Sequence, residues 1–193
     1  MTVEEFCAKV SAAQEGDHNV TDVSSFESSV SGEIRALVDH ELIKQLCEAA
    51  GYEETYRYLE KCRDREVKLY CKGLIYAIQS RCSGFFETST GNGLVNHLLI
   101  VLCCQLGGEA GYEAACAKAG CRLHLGDPRL TPIPVPAHIV EGDDGLVPYG
   151  IIIPSVLRDL GFEFSSDQRG NKPGDTDFLS VGRMRGHTVP DVP

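Results

Sequence analysis

The sequence predicts an α+β fold built in layers, with elements in the approximate order β-α-α-β-α-α-β-β-α-β-β. Apolar residues recur at three- and four-residue steps in residues 31–50, which is typical of a helix. Residues 67–79 are rich in β-branched and aromatic side chains, which is typical of strands. The chain has 193 residues, of which 42% are hydrophobic, so it is long enough for one real core. We therefore expect a single domain.

The first half of the chain alternates strand and helix signals. Residues 18–23 form a short strand candidate. The helix over residues 31–50 ends at Gly51, and a second helix follows over residues 53–64. The extended stretch after it has its turn signal at Lys72-Gly73, which predicts a hairpin. The apolar face of the first helix consists of Ile34, Leu37, Val38, Leu42 and Leu46.

The second half begins with a Ser-, Gly- and Thr-rich loop. Four prolines in residues 128–136 later force an extended connector. From residue 182 the tail shows no further core-forming pattern, and we expect it to be a fraying end. The remaining predicted elements are a loop at 83–93, helices at 94–106 and 109–119, a strand-turn-strand unit at 137–147, a helix at 154–160, and strands at 162–165 and 178–181.

Charge and hydropathy limit the function classes. The formal net charge is −10 and the pI is about 5.0, which by itself argues against a protein that coats nucleic acid. The longest apolar run, residues 98–104, is too short to span a bilayer. The N-terminus has no basic region followed by an apolar stretch, so we do not expect a secretory signal.

Two stretches carry polar groups at regular spacing. Residues 21–27 place Asp22 at the end of a strand and Glu27 five residues later. A purely structural alternative is capping of the next helix, with Ser28, Ser29 or Ser31 as the cap. Residues 83–92 fit the pattern S-G-x-x-x-T-x-x-x-N before a helix, and an ordinary loop with a helix cap is the alternative there.

The third stretch is Glu141-Gly142-Asp143-Asp144-Gly145, between two apolar strands. Asp-Gly is a strong hairpin signal, so a plain type I′ turn is one explanation. A turn does not need three carboxylates, however. Their mutual repulsion would be relieved by a divalent cation, which is the second explanation.

Taken together, the three stretches resemble motifs A, B and C of the palm of viral RNA-dependent RNA polymerases. The likeness is to positive-strand RNA viruses of the tombusvirus-like supergroup, where motif B reads S-G-x-x-x-T-x-x-x-N and motif C reads G-D-D. The resemblance implies the palm domain of a right-hand polymerase, an antiparallel sheet of the RRM/ferredoxin-like kind packed on helices. It implies one palm domain over residues 1–193, with fingers and thumb largely missing. The motifs would be A at about 18–30, B at 81–106, C at 138–147, D at 154–172 and E at 177–184.

The resemblance also assigns roles to residues. Asp22, Asp143 and Asp144 would be catalytic and bind two Mg²⁺ ions, for which Mn²⁺ can substitute, together with the backbone carbonyl of Val23. Selection of the ribose would fall to Glu27, Ser83, Gly84, Thr88 and Asn92. Lys172 or Arg169 would be the general acid of motif D. Glu27 stands where the family more often has Asp, which changes its reach to the ribose.

The function implied is template-directed transfer of nucleotides from NTPs to an RNA 3′ end for viral genome replication. The implied partners are an RNA template, a primer or product strand, and the fingers and thumb of a parent polymerase. The implied location is a replication complex in the host cytoplasm, with any membrane association provided by other regions. The alternative is a non-catalytic acidic module that binds cations or proteins. A reverse transcriptase is disfavoured by the Gly-Asp-Asp triplet and by Asn92.

Overall fold

The fold is α+β, as the sequence predicts. A computed structural model describes residues 18–63, 67–78, 88–169, 177–178, 181–184 and 187–190, with four isolated residues among the first ten. The chain divides into two compact units, Met1–Ser24 with Gly93–Pro193, and Ser25–Asn92. The interpretation of residues 1–193 as one palm domain stays a prediction.

The first unit is organised around a four-stranded antiparallel sheet. Its strands are β1 His18–Val23, β4 Ile139–Glu141, β5 Asp144–Pro148 and β6 Phe164–Arg169. The order in the sheet is β4-β5-β1-β6, so the first of these strands along the chain has the hairpin β4–β5 on one side and β6 on the other.

Among the described residues, this unit also contains α6 Gly108–Ala119, α7 Pro154–Asp159 and the part of α5 Thr88–Gln105 that begins at Gly93. Apolar side chains of α5, α7, β1 and β5 are buried and contribute to the hydrophobic core of this unit. The fully or almost fully buried ones are Val23, Val95, Ile100, Cys103, Leu146, Val147 and Leu157, and Phe162 is buried between α7 and β6.

The second unit contains short helices and one hairpin. Its elements are α1 Phe26–Ser29, α2 Gly32–Arg35, a π-helical stretch Ala36–Leu42, α3 Ile43–Ala50, α4 Glu53–Arg63, β2 Val67–Cys71 and β3 Leu74–Ile78. The predicted helix over 31–50 is thus confirmed, with a wider π-helical middle. The Ser31 hydroxyl accepts a hydrogen bond from the Ile34 backbone N–H at 3.3 Å, so the capping expected near this point is confirmed for Ser31.

The structure differs from the sequence predictions at the loop before α5 and in the tail. The loop over 83–93 ends earlier, because α5 already begins at Thr88. Hydroxyl residues and glycines have low helix propensity, but Thr88 and Asn92 are buried, and burial outweighs propensity here. The tail after residue 182 contributes strands to an antiparallel three-stranded sheet: β7 Asp177–Phe178, β8 Val181–Met184 and β9 His187–Pro190. Backbone pairing across a short hairpin does not require an apolar pattern.

In the part of the chain that is described, no single helix is both long and apolar enough to cross a membrane. Taken together, α5 and α6 have the length and apolar composition that a membrane span needs, but a bend of 46° separates them.

Candidate metal and nucleotide site

The hairpin β4–β5 carries the cluster of carboxylates. Glu141 pairs with Asp144 across the hairpin, so the turn consists of Gly142 and Asp143 alone. Gly142 has φ +62° whereas Asp143 has no positive φ, a pattern of type II′ turns. The predicted type I′ turn at Asp144-Gly145 is therefore wrong, because both residues lie in β5. We call residues 141–144 the acidic turn.

Antiparallel pairing places Asp22 at the same sheet edge as the acidic turn. In the register between β1 and β5, Thr21 lies opposite Gly145. The next residue of β1 is Asp22, and the preceding residue of β5 is Asp144, because antiparallel strands run in opposite directions. Carboxylates separated by about 120 positions in the sequence are thus neighbours on adjacent strands.

The electrostatics agree with this proximity. Burial raises the pKa of Asp144, and the negative charges of Asp143, Asp22 and Glu141 raise it further. Asp22 is exposed, while Asp143 and Asp144 are half-buried. Both desolvation and the neighbouring carboxylates therefore destabilise the ionised form of Asp144 in the folded chain.

The donor chemistry of this edge suits Mg²⁺ or Mn²⁺, which prefer hard carboxylate and carbonyl oxygens. Asp22, Asp143 and Asp144 supply carboxylates, and Val23 at the end of β1 supplies a backbone carbonyl. Within the described ranges, however, no three His, Cys, Asp or Glu side chains are grouped closely enough to hold a metal ion as they stand. The site thus has suitable ligands on neighbouring strands, but their side chains are not gathered around one point.

Neutralising Asp144 should stabilise the protein in the absence of divalent cations. A carboxyl group whose pKa is raised on folding costs stability at neutral pH, and that cost disappears as the pH falls through the folded pKa toward the unfolded value. We expect Asp144→Asn to raise the melting temperature in EDTA at pH 7.5, and the gain to shrink as the pH is lowered toward 4.

Thermal denaturation with and without Mg²⁺ measures this effect. Added Mg²⁺ should raise the melting temperature of the wild type more than that of Asp144→Asn, because a ligand stabilises the state that binds it. Glu113→Gln, which removes an exposed carboxylate from α6, is the matched control. A lower melting temperature for Asp144→Asn in EDTA would contradict the expected repulsion.

Asn96 on α5 contacts the acidic turn directly, and sequence reasoning missed it. Its side-chain nitrogen Nδ2 lies 3.5 Å from the carbonyl oxygen of Gly142, 3.1 Å from that of Asp143 and 3.3 Å from that of Asp144. Asn96 is completely buried. The available signal was an asparagine inside an otherwise apolar helical run, four residues after Asn92.

The next residue, His97, binds the start of the same hairpin. Its Nδ1 lies 2.8 Å from Nε2 of His138, and His138 Nδ1 lies 2.8 Å from the carbonyl oxygen of Pro136. A carbonyl only accepts, so His138 Nδ1 carries a proton. In the neutral pair, Nε2 of His138 therefore accepts the hydrogen bond from His97. Burial, and then the neighbouring His138, lower the pKa of His97.

This lowered pKa predicts a loss of stability in mild acid. The unfolded histidine takes up a proton near pH 6.5 and the folded one only at lower pH, so stability falls as the pH drops below about 6.5. His97→Asn retains a donor near the Nδ1 position and removes the titration. Its melting temperature should decline less than that of the wild type between pH 7 and 5. His124→Asn, at an exposed histidine, is the control; an unchanged decline in His97→Asn would contradict the assignment.

In the second unit, the structure brings together two of the predicted ribose-selecting residues. Asn92 Nδ2 donates a hydrogen bond to Glu27 Oε1 at 3.4 Å. Asn92 and Thr88 are buried, and Glu27 lies half-buried in the single turn of α1. A buried amide paired with a half-buried carboxylate is a polar pair of the kind that can recognise a hydroxyl group.

The other predicted site residues are less well placed or are not described. Ser83, Gly84 and Lys172 lie outside the described residues. Arg169 pairs with His18, four residues before Asp22 along β1, so its backbone is about 13 Å from that of Asp22 along the strand direction. Its assignment as general acid stays a prediction.

Comparison with known proteins adds no family assignment. No family model matches the chain, and no curated protein matches it significantly in sequence.

Proposed function

We propose that this chain forms the palm of an RNA-dependent RNA polymerase, which adds nucleotides from NTPs to an RNA 3′ end. The observation that carries the proposal is the register between β1 and β5, because it brings the motif A aspartate beside the Gly-Asp-Asp hairpin. A palm requires this arrangement of two adjacent antiparallel strands. The raised pKa of Asp144 supports it, since Asp22 is one of its causes.

In the proposed mechanism, the aspartates at the sheet edge bind and orient the reacting groups. When bound, a pair of Mg²⁺ ions supplies charge stabilisation for the attacking and leaving oxygens of an in-line phosphoryl transfer. Asp22 and Asp143 would be the principal ligands, with Asp144 beside them and the Val23 carbonyl as a further oxygen. Two flexible carboxylates on neighbouring strands can move toward a shared cation without a change of the sheet.

Ribose selection would be the work of the Glu27–Asn92 pair. The hydrogen bond between these side chains holds the carboxylate of Glu27 in place. A carboxylate oxygen held this way can accept a hydrogen bond from a 2′-hydroxyl group, and it remains unsatisfied when a 2′-deoxynucleotide is offered instead.

Template-directed incorporation tests the proposal. The longest natural open reading frame that contains this chain is expressed, and labelled GTP is offered on poly(rC) and poly(rA) templates with Mg²⁺ or Mn²⁺. We expect incorporation on poly(rC) only, and a loss of about 10³-fold or more in Asp143→Asn, because a principal ligand of the reacting centre is removed.

Glu113→Gln, an exposed carboxylate of the same unit, controls for a general change of charge. Equal incorporation by wild type and Asp143→Asn would remove Asp143 from the mechanism. Cation binding without any incorporation would instead favour the non-catalytic acidic module.

A further inference from the structure

We propose that Asn96 is a positioning residue that holds the backbone of the acidic turn and thereby sets the direction of its carboxylates. This inference rests on the proposed function, because it concerns the same cation site. Asn96 is not part of the S-G-x-x-x-T-x-x-x-N pattern, and it touches only main-chain atoms of the turn among its hydrogen-bond partners in the described residues.

The geometry explains why an asparagine is needed. One NH₂ group faces the carbonyl oxygens of three successive residues, Gly142, Asp143 and Asp144, at 3.1 to 3.5 Å. An amide nitrogen offers two hydrogens and no acceptor, so it suits a group of carbonyls that all point inward. An aspartate of the same shape would place carboxylate oxygens against those carbonyls, and a leucine would remove the donor that they share.

The other end of the amide supports this role. Asn96 Oδ1 is buried and has no hydrogen-bond partner in the described part of the chain. Among the described residues, the hydrogen bonds that orient this amide are therefore those to the acidic turn. A buried amide with one unsatisfied oxygen is costly, which indicates that the contacts of its nitrogen matter.

A glycine in α5 allows the helix to lie close to the acidic turn. Gly93 lies three residues before Asn96, so both residues face the same side of the helix. A Cβ atom added at Gly93 would lie 3.4 Å from the Gly142 backbone nitrogen, in van der Waals contact. A larger side chain at residue 93 would push the helix and the turn apart. Gly93 therefore permits the close approach that brings the Asn96 amide within hydrogen-bond distance of the turn.

Mn²⁺ binding to the 193-residue chain, followed by electron paramagnetic resonance, tests the inference with the metal alone as probe. We expect Asn96→Ser, whose hydroxyl is too short to reach the turn, to weaken Mn²⁺ binding by about 10- to 100-fold, as removal of groups that orient metal ligands does elsewhere. Asn96→Asp should weaken it at least as much. Asn19→Ser changes a buried asparagine of β1 that lies opposite Val147 and Gln168 rather than the turn, and it should retain the wild-type affinity.

Three outcomes separate this inference from the function on which it rests. If Asp143→Asn binds Mn²⁺ as the wild type does, the cation site itself is wrong. If Asp143→Asn loses binding while folded Asn96→Ser and Asn96→Asp keep it, only the role of Asn96 is wrong. If both Asn96 variants fail to fold, Gly93→Val is measured instead, because its side chain displaces the same turn by packing. Wild-type Mn²⁺ affinity in Gly93→Val would also overturn the inference.

The incorporation assay proposed above offers a second readout that a purely structural residue would not move. A positioning role predicts that Asn96→Ser raises the Mg²⁺ concentration needed for half-maximal incorporation. A structural role would lower only the amount of active enzyme and leave that concentration unchanged, and such a result would contradict the proposal.

Discussion

Gly145→Ala should be among the most destabilising single substitutions in the first unit. The added Cβ would collide with Oγ1 of Thr21, the residue that faces Gly145 across the β1–β5 ladder. Thr21 is completely buried, so its side chain has no free space to move into. We expect a loss of about 1–3 kcal/mol in the free energy of unfolding, as for other insertions into a packed core.

Chemical denaturation of four variants measures this clash. Thr21 Oγ1 is buried and has no hydrogen-bond partner among the described residues, so Thr21→Ala should open space for the new Cβ at little cost in hydrogen bonds. Gly145→Ala should therefore cost much less in the Thr21→Ala background. Gly111→Ala on α6 is the control, because nothing lies within 4 Å of its new Cβ, and it should be neutral or stabilising. Strictly additive effects of Thr21→Ala and Gly145→Ala would contradict the packing described for β1 and β5.

If the chain acts as proposed, Glu27→Ala in the longest open reading frame that contains it should reduce discrimination between ribonucleotides and deoxyribonucleotides by about 10- to 100-fold. That range corresponds to the ~1.5–3 kcal/mol of a hydrogen bond to a charged group. The variant removes both the proposed acceptor of the 2′-hydroxyl and the partner of Asn92 Nδ2. Glu27→Gln keeps an acceptor oxygen and should have a smaller effect.

The measurement compares kcat/KM for GTP and dGTP on the same template. Glu48→Ala removes an exposed carboxylate of α3 in the same unit and should not change the ratio. If Glu27→Ala lowers kcat/KM equally for both nucleotides, Glu27 does not select the ribose, although Asp22 and Asp143 could still act as proposed.

Local sequence signals predicted most of the helices and strands, because turns and helix ends depend mainly on the conformational preferences of the residues that form them. The hairpin at Lys72-Gly73 and the stop of α6 at Gly120 follow from turn and cap chemistry, and both are confirmed. The start of α5 was wrong, since burial of Thr88 and Asn92 is a tertiary effect that propensity does not contain. The strand-turn-strand unit at 137–147 is confirmed. A type I′ turn at Asp144-Gly145 is not, because pairing of Gly145 with Thr21 keeps these residues in the strand.

In the candidate site, too, some residues could be suggested by the sequence and others only by tertiary contacts. A motif can suggest that Asp22 and Asp143 act together, but only the strand register makes them neighbours. In the sequence, Asn96 and His97 stand out only as two polar residues in a mainly apolar helix. Their importance comes from the turn and the histidine that α5 meets in space. Residue type alone does not distinguish such an asparagine from any other polar residue in a helix.

We propose that Asp22 and the acidic turn form one divalent cation site together, although they are far apart in the sequence. A Mn²⁺ titration of wild type, Asp22→Asn, Asp143→Asn and the double variant tests this most directly. We expect each single substitution to remove most of the affinity and the double variant to lose little more, because both residues serve the same site. Wild-type affinity in Asp22→Asn, or independent and additive losses, would contradict the shared site.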